Sequence, residues 1–344
     1  MSINRRKPDH QDWTQQYLRG DYDHADALQE ERFSNRSKFA QEMKMRKTAD
    51  LRNTDAAAAD LDALPLGIVT QVYSLFVELE HEGQTWLTTI RSSMRKLRET
   101  DIVCGDRVRF RSSGVTHESG RPEAIIEQIL PRQTVLLRAD SFKQLHQHLI
   151  VANAEQMLIV ASILRPRVKW GLVDRMLIAA QSGGLKPIPC LNKLDLAADD
   201  AELLAESQTT LEHYRAIGVP AIATSIEPQQ GLDELAAAMK DHTTVLAGHS
   251  GVGKSSLIHA ISPDLNLKIG EISNYNDKGR HTTTFTRQYR LGTGGIVIDT
   301  PGVKQFGLWN VTKDNINEFF PDVAAGEAPE WRQQSYQNIL DSIA

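Results

Sequence analysis

The stretch Thr243-Thr244-Val245-Leu246-Ala247-Gly248-His249-Ser250-Gly251-Val252-Gly253-Lys254-Ser255-Ser256-Leu257-Ile258 decides the fold. An apolar β-branched run leads into G-x-x-x-x-G-K-S, and helix-forming residues follow, which is the strand–loop–helix setting of a phosphate-binding P-loop. The chemistry needs these residue types. Glycines let backbone N–H groups curl around phosphate oxygens, and the N-terminus of the following helix adds its positive dipole end. Lys254 can reach the β- and γ-phosphates, the Ser255 hydroxyl can ligate Mg²⁺, and residues 248–256 together form the phosphate cradle. Working outward, strands are expected at Met157–Ser162, Lys186–Leu191, Ala221–Thr224, Thr243–Ala247 and Gly295–Asp299. Helices are expected near Lys169–Ser182, Ala201–Ile217, Gly231–Lys240 and Lys254–Ile261. That alternation predicts an α/β domain with a mostly parallel sheet.

A P-loop does not choose its base. Asn192-Lys193-Leu194-Asp195 does, because it follows the apolar strand ending at Leu191, where parallel sheets place their ligands. A carboxylate at Asp195 accepts from guanine N1–H and N2–H₂, which adenine lacks, while Asn192 and Lys193 brace the loop and cover the base. Thr224-Ser225-Ile226, at the end of another strand, offers backbone N–H groups to guanine O6. Asp299-Thr300-Pro301-Gly302 places a carboxylate to hold Mg²⁺ through water and a Gly302 N–H to sense the γ-phosphate. Thr282-Thr283-Thr284, with Thr283 as the chosen ligand, completes the Mg²⁺ shell, and a polar strand is expected to begin at Thr284.

These elements form a GTPase set, but the base-reading loops (192–195, 224–226) precede the phosphate-binding ones (248–255, 282–284, 299–302), which is a circular permutation. With this order, Gly248–Ser256, Gly279-Arg280-His281-Thr282-Thr283-Thr284 and Asp299-Thr300-Pro301-Gly302-Val303 followed by Phe306-Gly307-Leu308-Trp309, the chain resembles the circularly permuted, small-subunit-dependent GTPases called RsgA or YjeQ. The resemblance spans about residues 64–322. It implies GTP hydrolysis to GDP and phosphate, as a switch in late maturation of the small (30S) ribosomal subunit, with its 16S rRNA as partner. An alternative is a non-catalytic RNA-binding assembly factor whose nucleotide site only gates affinity. Val303 stands where Ras-like enzymes carry a water-orienting glutamine, so intrinsic turnover should be slow, and the resemblance suggests His281 for that role. Catalysis would then rest on Lys254, His281, Thr283 and Gly302. Two departures stand out. Ile226 replaces the usual alanine, and nothing after Phe320 is Cys or His, so the family's C-terminal zinc subdomain is expected to be missing and no zinc is expected.

The rest of the chain frames this domain. Its 344 residues suggest two or three domains, and 40% hydrophobic composition supports a sizeable core. Short β-rich runs at Gly67–Val72, Leu75–Leu79, Thr85–Leu87, Asp106–Phe110 and Ala124–Leu130 predict a small closed OB-like barrel over 64–140, which the resemblance also implies. The GTPase domain is expected over 141–312 and a short helical segment, without a zinc site, over 313–344. Residues 1–60 read as a helical or disordered extension whose stretch 32–47 carries a local charge of +6 −1 = +5, an arm suited to RNA phosphates. The net charge of −5 gives no wider basic surface. Two cysteines, Cys104 and Cys190, fit a reducing compartment. No signal sequence is visible, and the most apolar stretch, Leu149–Leu164, is interrupted by Asn153, Glu155 and Gln156, so a cytoplasmic monomer is expected.

Overall fold

The computed structural model describes residues 61–73, 76–90, 102–139, 147–265, 286–300, 306–308 and 310–343, all within one compact unit spanning 61–344. The basic stretch 32–47 lies outside these residues. Five strands open the unit: β1 (Leu66–Val72), β2 (Val77–His81), β3 (Gln84–Ile90), β4 (Arg107–Thr116) and β5 (Pro122–Ile129). They pair in the order β1-β2-β3-β5-β4, and β4 returns to β1, so the ring closes with β3 and β5 as its parallel pair. Closure leaves no free edge for these short strands. Alternate residues point inward, so Val69, Val77, Leu79, Val108, Phe110, Ala124 and Ile126 fill the barrel. A bulge between Val69 and Gln71 bends β1, which lets one strand pair with both β2 and β4. The OB-like barrel expected from the sequence is present; β2 begins two residues later than expected, at Val77, and β4 continues to Thr116.

A hairpin not anticipated from the sequence follows: β6 (Val135–Ala139) and β7 (Gln147–Ala152). It bridges the barrel and the next layer, because Ala152 N donates to Cys104 O (3.0 Å) while Val135 N donates to Gly183 O (2.9 Å). Beyond it come β8 (Gln156–Ser162), α1 (Trp170–Ser182), β9 (Lys186–Asn192), α2 (Ala201–Ala216), β10 (Ile222–Ala223), α3 (Leu232–Met239), β11 (Thr243–Ala247), α4 (Lys254–Ile261), β12 (Arg287–Arg290) and β13 (Ile296–Asp299). The sheet order is β10-β9-β8-β11-β13-β12, parallel except for β12. Helices cover both faces, so its strands are apolar on both sides. Met157, Ile159, Val245 and Ile298 meet Val173 and Leu177 of α1, while Leu158, Val160, Leu246 and Val297 meet Leu235 of α3 and Leu257 and Ile258 of α4. The strand expected from Thr284 is β12, starting at Arg287; residues 266–285 lie outside those described.

After Phe320 a one-turn helix, α5 (Pro321–Ala324), leads to α6 (Glu330–Ser342), which packs on α1. The contact is polar at its centre. Arg332 is fully buried and ion-paired with Asp174 of α1 and with Asp322, the latter through Nε to Oδ2 at 3.1 Å. Tyr214 Oη donates to Asp174 (2.6 Å), His213 Nε2 meets Asp322 Oδ2 (2.7 Å), and the guanidinium lies 4.2 Å from the Phe320 ring centroid. Truncating one member of such a network leaves buried charges uncompensated. Arg332→Ala should therefore lower stability by about 3–5 kcal/mol in urea unfolding, while joint apolar replacement of Asp174, Asp322 and Arg332 should recover most of the loss.

Candidate functional site

The parallel strands bring their carboxyl ends to one edge, and the predicted motifs sit there. Leu246 pairs with Asp299, Ala247 with Ile159, Ser162 with Asn192 and Leu191 with Ala223. The loops leaving β11, β13, β9 and β10 are thus neighbours although 107 residues separate Asn192 from Asp299 in sequence (299 − 192). This is where open parallel sheets bind ligands.

The phosphate loop must pass close to its neighbours. Gly248 has φ +133°, and a Cβ there would lie 2.2 Å from Val160 O; at Gly253 (φ +97°) it would lie 2.5 Å from Asn192 Nδ2. Only glycine fits either position. Gly253 also caps α4 and brings no side-chain acceptor, which leaves the first-turn N–H groups to an anion. Lys254 Nζ donates to Gly248 O (2.8 Å) and His249 O (3.0 Å), so the ammonium is folded over its own loop. Burial pulls its pKa down against the attraction of Asp299, and burial pushes the Asp299 carboxyl up against the attraction of Lys254 and the Thr300 N–H. Ser255 and Asp299 are both buried at this edge. A hydroxyl and a carboxylate are hard oxygen donors, the set that suits Mg²⁺.

The base-reading loop is tied directly to the phosphate loop. Asn192 Nδ2 donates to Val252 O (2.9 Å), its Oδ1 accepts from Thr224 Oγ1 (3.1 Å), and Lys193 Nζ donates to Gly251 O (2.5 Å) and Arg165 O (2.8 Å). Lys193 adopts φ +63° to do this, then Leu194–Ala197 form a 3-10 turn that presents Asp195. The Ser225 hydroxyl bonds Asp195 Oδ1. The Ser225 N–H donates to Gln230 O (3.0 Å), closing a small bridge, while its hydroxyl faces the Asp195 carboxylate. Thr224 was quoted for its backbone, but its hydroxyl bond to Asn192 was not foreseen, and nothing local marks the Arg165 carbonyl. His281, Thr283 and Gly302 lie outside the described residues. Just beyond Gly302, Phe306 is buried in the core and Gly307 N donates to Leu137 O (2.9 Å).

A phosphate loop, an Mg²⁺-competent carboxylate and a carboxylate-bearing base loop, with the base loop first in the chain, define a circularly permuted P-loop GTPase fold. A family model described as RsgA GTPase matches residues 129–309. A curated relative from Vibrio vulnificus, named small ribosomal subunit biogenesis GTPase RsgA 1, is 34% identical over 330 residues, covering 88% of this chain and 90% of its own length. The protein of that name, RsgA, from Actinobacillus succinogenes is 34% identical over 254 residues, covering 73% of this chain and 69% of the relative. Among solved structures, YjeQ from Thermotoga maritima has a TM-score of 0.60 at 25% identity, covering 81% of this chain and 98% of that one. YloQ, titled a circularly permuted GTPase, shares the fold at TM-score 0.60 and 24% identity over 84% of this chain and 98% of its own. The chain belongs to the RsgA GTPase family, and it is a GTP-hydrolysing enzyme.

Asn192→Ala removes the donor to a buried carbonyl and one anchor of the base loop. Titration with a fluorescent GDP analogue should show affinity reduced by about 10- to 100-fold, as expected for a lost buried partner.

Proposed function

We propose that this enzyme is a GTP-driven switch in late maturation of the small (30S) ribosomal subunit, acting on its 16S rRNA as a cytoplasmic monomer. The observation that carries the reading is the direct bonding of the base loop to the phosphate loop through Asn192 and Lys193. The names of the relatives supply the small subunit as the setting. Among the described residues no helix is long and apolar enough to cross a membrane.

Asp195 accepts from guanine N1–H and N2–H₂, oriented by the Ser225 hydroxyl, and the Ile226 N–H is assigned to O6. The amides of residues 248–256 and Lys254 hold the phosphates. Ser255, Thr283 and Asp299, the last through water, are assigned to Mg²⁺, which when bound neutralises the charge shared by the β- and γ-phosphates. Hydrolysis is an in-line attack by water, so the protein's part is positioning and charge stabilisation. Lys254, freed from Gly248 O and His249 O, moves its charge onto the transferring phosphate. His281 is assigned to orient the water and Gly302 to sense the γ-phosphate. In the division of the chain, the barrel (64–140) serves RNA contact, the GTPase domain (141–312) serves switching, and the helical end segment (313–344) gives support. The basic stretch 32–47 adds an RNA-contacting arm.

Two measurements test this. GTP turnover by the purified protein should be slow alone and strongly stimulated by isolated small ribosomal subunits, and Lys254→Ala should abolish the stimulated rate; an unchanged slow rate with GTP still bound would remove the ribosomal role. Asp195→Ala should cut GTP affinity roughly 10²- to 10⁴-fold, the worth of two hydrogen bonds to a charged acceptor, and erase the preference over ATP.

A further inference from the structure

One rung of the sheet crosses from the nucleotide site to the barrel. Leu246, two residues before the phosphate loop, pairs with Asp299; Asp299 pairs with Arg287 of β12; and Arg287 pairs with Gln71 of β1. Strand β12 is therefore bonded on one side to the strand carrying the Mg²⁺-assigned carboxylate and on the other to the barrel. Among the described residues Gln71 with Arg287 is the register pair that joins the two strands. A second tie lies three residues along β12, where Arg290 grips Glu80 of β2 at two points, Nε to Oε2 at 3.1 Å and Nη2 to Oε1. A two-point guanidinium–carboxylate pair fixes direction as well as distance. Between these ties Gln71 is buried, and its Oε1 has no hydrogen-bond donor among the described residues. A buried acceptor left unpaired is unusual in a native structure, so this join is not fully satisfied by the groups around it.

We propose that β12 is the lever through which the nucleotide state reaches the barrel, with Glu80 and Arg290 as the positioning residues that hold the barrel to it. The proposal rests on the reading of Asp299 as the carboxylate at the γ-phosphate end of a GTPase switch. A change at Asp299 moves its rung partner Arg287, and Arg287 carries Gln71 with it. The ion pair turns that shift into a rotation of β1 and β2, because it fixes a second point on the same strand. Linkage makes the lever reciprocal: a partner bound to the barrel biases the nucleotide site by the factor with which the nucleotide biases the barrel. Among the described residues neither Glu80 nor Arg290 bonds to a nucleotide-binding residue, so intrinsic turnover should not change when they are altered.

Amide hydrogen exchange of the full chain, loaded with Mg²⁺ and either GDP or a non-hydrolysable GTP analogue, tests the lever. In the wild type, exchange over residues 66–81 should differ between the two nucleotides by about two- to fivefold, the range open to a partly exposed ion pair. Glu80→Gln and Arg290→Gln should each bring that ratio close to one, with intrinsic turnover and nucleotide affinity retained. The charge exchange Glu80→Arg with Arg290→Glu should restore the difference. Equal barrel exchange in both nucleotide states of the wild type would overturn the lever, as would a wild-type difference that survives in both single variants. Small subunits serve as a separate arm: if they fail to stimulate hydrolysis while the exchange difference holds, the ribosomal role falls and the lever stands.

Discussion

The carboxamide of Asn192 ties the loop after β9 to the phosphate loop. One of its atoms holds Val252 in the phosphate loop and the other accepts from Thr224, beside the residue that orients Asp195. The loops proposed to read guanine and to bind phosphate are therefore bonded to each other. Lys193 repeats the tie to Gly251 and extends it to Arg165 in the loop after β8. Both ties depend on the glycines at 248 and 253, since any Cβ at either position would collide with what the loop must approach. Lys254 must leave Gly248 O and His249 O to reach a phosphate, but the loops themselves are already tied together, so little of their backbone has to reorganise.

Circular permutation is tolerated because the site is a property of strand ends, not of chain order. What matters is that β9, β10, β11 and β13 run parallel and finish at one edge, and their register enforces this. Helices on both faces keep those strands dry. The permutation has a consequence for the barrel. Strand β12 is the antiparallel edge of the parallel sheet, and an edge strand offers unused backbone groups. Here β1 of the barrel takes them, so the two layers meet at a strand that is itself bonded to Asp299's strand.

The helical end of the chain is held by an apolar cluster, with Ile178 of α1 and Ile339 of α6 among its members, and by a buried charge network beside it. Arg332 is enclosed by Asp174, Asp322 and the rings of Phe320 and Tyr214. Such a network adds little net stability over apolar packing, but it tolerates no misplacement, because each charge needs its partner. It therefore fixes where α6 lies on α1. The loop preceding α1 carries the Arg165 carbonyl that Lys193 uses, so the seating of α6 is continuous with the frame of the base loop.

Legibility divided along physical lines. The strand–loop–helix around the P-loop was readable because phosphate binding demands particular residue types at short, fixed spacing, and α4 and β11 were placed to the residue by that logic. The barrel strands were readable from alternation, since one face is core and one is water. Other features were less marked. The β6–β7 hairpin was not anticipated, and although a polar strand was expected near β12, Arg-Gln-Tyr-Arg, its partner β1 lies far off in sequence. The use of the Ser225 N–H in a bridge to Gln230, with the hydroxyl turned to Asp195, is a choice of hydrogen-bond partner that residue identity leaves open. Arg332 reads as a surface residue until Asp174, 158 residues away, closes on it. Local spacing settled what chemistry this chain carries out; only tertiary contacts settled how the layers are joined, because a hydrogen bond or ion pair between distant residues depends on where the fold brings them together.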